Sequence, residues 1–145
     1  MRYICSVIFD PGNPIVALCA EGIGKNDLSE RLFYIEKAWS SASSDIEKCV
    51  SAHFMGHVIA DLSEKLKWQH LALDFALKPD NLQGKQYLST LYLHIGKSYL
   101  DMGLKMRASE YLQLAYTEAL YLENTKYNTK IKQGILAAMQ KLLIT

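Results

Sequence analysis

The chain has 145 residues, 50% of them hydrophobic and 21% charged, the balance of a globular protein long enough to bury roughly two thirds of its unfolded surface. Its 16 basic and 15 acidic residues leave a net charge of +1, which excludes long-range attraction of the whole molecule to nucleic acid or to an anionic membrane. Three cysteines, Cys5, Cys19 and Cys49, without any CxxC spacing, argue against a disulfide framework and for reduced thiols.

The opening RYICSVIF, residues 2–9, is β-branched and aromatic and has no helix start. Residues 1–12 are therefore expected to form a short extended N-terminal arm. The apolar run is short for a signal-peptide core, no small-residue cleavage site follows it, and no segment nears the roughly 20 apolar residues of a membrane span. The expected location is cytoplasmic. Residues 13–145 read as one all-α domain, with helices near 14–25, 28–42, 45–60, 62–77, 85–102, 105–122 and 129–143. Pro14 after Asn13 suits a first helical position. Pro79, Asp80, Asn81 and Gly84 mark one long connection, Gly103 stops the fifth helix, and the amphipathic KIKQGILAAMQKLL reads as a capping helix.

Helix starts recur. Asp27 with Glu30, Ser44 with Glu47 and Asp61 with Glu64 each have capping-box spacing, and the starts fall 17 residues apart. Two intervals make 34, the period of a helix–turn–helix unit that buries its apolar face only by stacking on copies of itself. Gly22 and Gly56, Tyr34 and Trp68, and Ala38 and Ala72 are each 34 apart. A third copy has Gly96, Tyr111 and Ala115, with a hinge three residues longer. Small residues at such positions let two helix backbones approach while a large aromatic fills the space beside them.

The third unit, LYLHIGKSYLDMGLKMRASEYLQLA, residues 91–115, resembles the tetratricopeptide repeat at Tyr92, Ile95, Gly96, Tyr99, Gly103, Ala108, Tyr111, Leu112 and Ala115. Leu120 stands where the motif closes on proline, and Arg31 and Lys65 stand where the first two units should carry a small residue. The segments NPIVALCAEG, IEKAWSSASSDIEKCVSAHFMGH, EKLKWQHLAL and YLSTLYLHIGKSY are similar to a group of small bacterial single-domain tetratricopeptide-like proteins without an assigned activity. The resemblance implies a right-handed superhelix of three helix pairs plus a C-terminal capping helix. It also implies a protein- or peptide-binding module, a scaffold or adaptor.

In tetratricopeptide geometry the first helix of each pair lines a concave groove, at positions three before, two before and one after the shared glycine. Ala20 and Leu93 fall on that surface, and the expected ligand-binding residues are Cys19, Ile23, His53, Phe54, His57, Thr90, His94 and Lys97. His53 and His57 lie four apart on one helix face, a spacing that can set two imidazoles on one metal, with Cys19 or His94 completing the set. That makes a metal- or small-molecule-binding sensor the alternative function. His94 with Lys97 would suit a carboxylate or phosphate. No phosphate-cradling glycine loop, GxSxG or HExxH occurs, so neither enzymatic activity nor a cofactor is expected. The expected partner is a protein or peptide, with the N-terminal arm or a second subunit as candidates, and neither nucleic acid nor membrane. Trp39 and Trp68 are expected in the core, Cys49 buried and inert, and Lys126, Lys130 and Lys132 on a solvated face.

Overall fold

A helix forms most readily where a side-chain oxygen meets its first free amide groups, and this chain supplies such oxygens repeatedly. In the computed structural model, which describes residues 10–144, Asn13 accepts from the amides of Ile15 and Val16 at 2.8 and 3.2 Å. Asp27, Ser44 and Asp61 accept from the amides of Glu30, Glu47 and Glu64 at 3.2, 3.2 and 3.0 Å. Ser44 alone completes the reciprocal box, its own amide donating back to Glu47 at 3.3 Å.

Eight helices follow among the described residues, and no strand: α1 Pro14–Ile23, α2 Leu28–Ser41, α3 Asp45–Val58, α4 Leu62–Ala76, α5 Leu82–Lys85, α6 Leu88–Asp101, α7 Lys105–Ala119 and α8 Lys126–Ile144. The extended arm expected over 1–12 lies largely outside the described residues. Its last part, Asp10 to Gly12, is a turn in which the Gly12 amide donates to the Asp10 carboxylate at 2.9 Å and the Asn13 amide to the Asp10 carbonyl at 3.1 Å.

The chain folds as two compact units, one ending at Lys85 and one beginning at Gln86. In the first, α1 packs on α2 and α3, α2 on α3, and α3 on α4. Ile35, Ala38, Cys49, Val50, Phe54 and Ala72 are fully buried there. In the second, α6 packs on α7, and α8 covers both. Leu93, Leu112, Ala115, Ala119, Ile135 and Ala138 form its core.

The glycines recurring at the 34-residue step lie where helices touch. A Cβ added at Gly22 would stand 3.0 Å from Tyr34 Cβ and 3.1 Å from the Arg31 carbonyl, and one at Gly56 would stand 3.4 Å from Trp68 Cβ and the Lys65 carbonyl. In the second unit the equivalent atom at Gly96 would stand 2.8 Å from Leu112 Cδ2. The repeat in the sequence is thus a repeat of close backbone approach.

The long connection after α4 is held by Asn81 and by Lys85, whose ammonium donates to the Lys78 and Pro79 carbonyls at 2.7 and 3.2 Å. Asn81 is buried, donates to the Phe75 carbonyl at 3.0 Å and accepts from the Gly84 amide at 3.0 Å, which starts the short α5. Both of its polar ends find partners, as burial demands.

Candidate functional site

The residues expected to line a groove divide by burial. Cys19, His53, Phe54 and Thr90 are buried, Ile23 and His94 are half-buried, and His57 and Lys97 are exposed. Helical spacing places them on a shared face of each first helix, but neighbours cover much of that face. Thr90 shares a hydrogen bond of 2.8 Å with the Tyr127 hydroxyl of α8. Leu93, also expected on the inner surface, is packed in the second unit's core, where a Cβ added at Gly134 would stand 3.3 Å from Leu93 Cδ2. The capping helix therefore occupies the face of α6 on which Thr90 and Leu93 stand, and leaves Lys97 open.

His53 packs edge-on to Phe54, with ring centroids 5.1 Å apart, and its ring lies 6.5 Å from that of His57. Among the described residues no three His, Cys, Asp or Glu side chains come together as a group that could hold a metal ion. Cys19 and Cys49 are both fully buried. Burial pushes the Cys49 thiol up to about 12, so it stays protonated at neutral pH and is neither nucleophile nor ligand.

Among the open clefts of the described residues, one in each unit has a lining that bears on binding. In the second, Lys97, Asp101 and Lys141 surround a cleft of about 180 Å³ whose floor is Gly134, Ala137 and Ala138. Small side chains on α8 leave this space, and the two ammonium groups outnumber the single carboxylate. In the first, Leu32, Glu36 and Trp39 of α2, Met55 and Ile59 at the end of α3, and Trp68 of α4 line a cleft of about 550 Å³.

The tryptophans of that cleft depart from the core role expected of them. Both are half-buried. They meet edge to face, with centroids 5.1 Å apart and planes at 88°, and Phe75 stands 6.2 Å from Trp39. The Lys48 ammonium lies 4.3 Å from the Trp39 centroid. A detectable signal existed in the spacing Leu32, Glu36, Trp39 and Ser40, which sets all four on one side of α2. Met55 stands two residues from both His53 and His57, or about 200° round the helix. The aromatic cleft is consequently on the opposite side of α3 from the histidines.

Arg31 and Lys65, which stand where the repeat expects a small side chain, have a shared use. Arg31 Nε donates to the Lys25 carbonyl at 2.6 Å, and Lys65 Nζ donates to the Gly56 carbonyl at 2.7 Å and to that of His57 at 3.4 Å. Lys65 reaches back from the second helix to carbonyls in the last turn of the first, whereas Arg31 meets a carbonyl in the turn between the two helices. A further link at the same step joins the two pairs, since Asn13 Nδ2 donates to Glu47 Oε2 at 2.9 Å across 34 residues. Together with the Ser43 backbone amide, that bond holds the Glu47 carboxyl down at about 2.

Comparison with protein-family models, with curated proteins and with solved structures gives no match. No helix among the described residues is long and apolar enough to cross a membrane.

Proposed function

We propose that the protein is an interaction module of the tetratricopeptide type, whose stacked helix pairs hold a peptide or protein segment and perform no chemistry of their own. The observation that carries this reading is the recurrence of packing chemistry at one step. Gly22 and Gly56 each admit the aromatic-bearing helix that follows, Arg31 and Lys65 each donate to backbone carbonyls N-terminal to their own helix, and Asn13 and Glu47 tie one pair to the next. Such a step generates a solenoid in which each layer contacts only its neighbours and offers a long surface to partners. The reading brings with it the right-handed winding that such pairs adopt, and a cytoplasmic setting for a chain whose cysteines lack any CxxC spacing.

His57 and Lys97, the exposed members of the expected inner surface, are the residues on which a partner would act in this reading. The test is affinity capture from a lysate of the source cells, with wild type beside a His57→Glu, Lys97→Glu variant of unchanged melting temperature. At least one protein retained by the wild type and released by the variant is the expected result. Identical captures from the two proteins would overturn the proposal.

A further inference from the structure

The cleft between α2, α3 and α4 has a composition that selects its occupant. Its lining contains a single charged side chain, the exposed Glu36, which makes no ion pair among the described residues. The rest of the wall is two perpendicular indoles with Leu32, Met55 and Ile59, and the Ser40 hydroxyl at its edge. An anionic ligand would meet a carboxylate and the negative faces of the rings, so charge excludes it. A purely apolar side chain would leave Glu36 beside a covered surface without a partner.

We infer that this cleft receives an arginine side chain from a partner polypeptide. The guanidinium is planar and weakly hydrated, stacks on indole faces and pairs with a carboxylate through two parallel N–H groups. Its three-carbon stem is apolar and suits Leu32, Met55 and Ile59. Within the fold the Lys48 ammonium already lies 4.3 Å from the Trp39 centroid, where it also donates to the Trp39 carbonyl at 3.4 Å, while Lys48 itself stands outside the cleft lining. A lysine from a partner would be held less well, as a compact and strongly hydrated charge that cannot stack.

The inference deepens the interaction-module reading by naming one partner chemistry, and it uses a surface on the other side of α3 from His57. Failure here leaves the His57 and Lys97 capture experiment standing, and failure there leaves this one. Trp39 and Trp68 are the only tryptophans in the chain, so intrinsic fluorescence reports on this cleft without a label.

The probes are acetyl-Leu-Arg-Leu-amide and its counterparts with lysine or norleucine at the centre, titrated into the full-length protein. The arginine peptide should change the tryptophan emission saturably, and the lysine and norleucine peptides should bind several-fold more weakly. Glu36→Gln, an exposed substitution that leaves the fold intact, should weaken the arginine peptide about tenfold and the norleucine peptide little. Lys48→Gln should strengthen the arginine peptide by removing a nearby like charge. Equal binding of arginine and norleucine peptides would identify an unselective apolar groove and overturn the inference. So would an unchanged affinity in Glu36→Gln, or an emission that none of the peptides alters.

Discussion

After α3 the chain turns back under a side chain, Lys65, whose ammonium donates to the carbonyls of Gly56 and His57; after α6 it turns back through backbone alone. There Gly103 adopts φ 76°, its amide donates to the Leu100 carbonyl at 3.0 Å, and the Leu104 amide donates to that of Tyr99 at 2.9 Å. This is the paired bonding that closes a helix on a left-handed glycine. Both solutions satisfy open carbonyls and return the next helix across a glycine. The position that a long basic side chain fills in the first unit is Ala108 in the second, fully buried. A side chain capable of capping and a small one capable of close packing are alternatives at one site, and the turn must change to match.

The comparison predicts unequal costs at equivalent glycines. The largest is at Gly96, where an added methyl meets buried Leu112 at 2.8 and 2.9 Å. Overpacking usually costs about 1–3 kcal/mol, and the helix-propensity gain of alanine offsets about 1 of it, so Gly96→Ala should lower unfolding free energy by up to about 2 kcal/mol in urea titrations. At Gly56 the nearest atom is Gln69 Cγ at 3.2 Å, and alanine gains about 1 kcal/mol of helix propensity there. Gly56→Ala should therefore be close to neutral. Equal losses at both positions would contradict the difference in packing between the two units.

The turns themselves come next. Gly103→Ala meets nothing within 4 Å, so its cost is purely that of a left-handed backbone, about 1 kcal/mol. Lys65→Met deletes two hydrogen bonds from a partly exposed ammonium and should cost about 0.5 kcal/mol. Measured by thermal melting, the backbone turn should prove the more sensitive.

The sequence places the helix ends well because caps are local. Asp27, Ser44 and Asp61 each act within three residues of themselves, and each accepts from the expected amide, although the reciprocal bond of a capping box forms only at Ser44. The glycine step is also visible, because close approach needs a small residue whichever helix comes to meet it. Burial is a different matter. The shared face of Cys19, His53 and Phe54 follows from spacing, but its coverage depends on helices distant in sequence, and nothing in that spacing reports them. Thr90 shows this plainly, since its partner Tyr127 lies 37 residues on. The same blindness set Trp39 and Trp68 in the core, where size alone would put them, although their neighbours leave a cleft open at their edges. Arg31 and Lys65 read as departures from a motif because donation by a long side chain to an earlier backbone carbonyl leaves no periodic mark.

A further small effect concerns the link between the first two pairs. The Glu47 carboxyl is lowered from 4.5 to about 2, chiefly by the Ser43 amide and then by the Asn13 side chain. A carboxyl lowered on folding adds stability above its unfolded value, and that stability is lost as pH falls through the folded one. The contribution should accordingly be complete above about pH 5 and fade between about pH 4.5 and 2. Because the group is partly exposed, solvent screening limits the contribution to under about 1 kcal/mol. Wild type and Glu47→Gln should differ by a constant amount at neutral pH and converge over that acid range. A difference that persists unchanged to pH 2 would mean that the Asn13 bond, rather than the charge, carries the link.

The central claim is that three glycines mark three equivalent crossings of paired helices. Nuclear Overhauser contacts from the Gly22, Gly56 and Gly96 α-protons test it directly. Cross-peaks should connect them to Tyr34, Trp68 and Leu112 side-chain protons respectively. If any one of the three glycines shows contacts only to its own helix, the shared crossing, and the interaction module built upon it, is wrong.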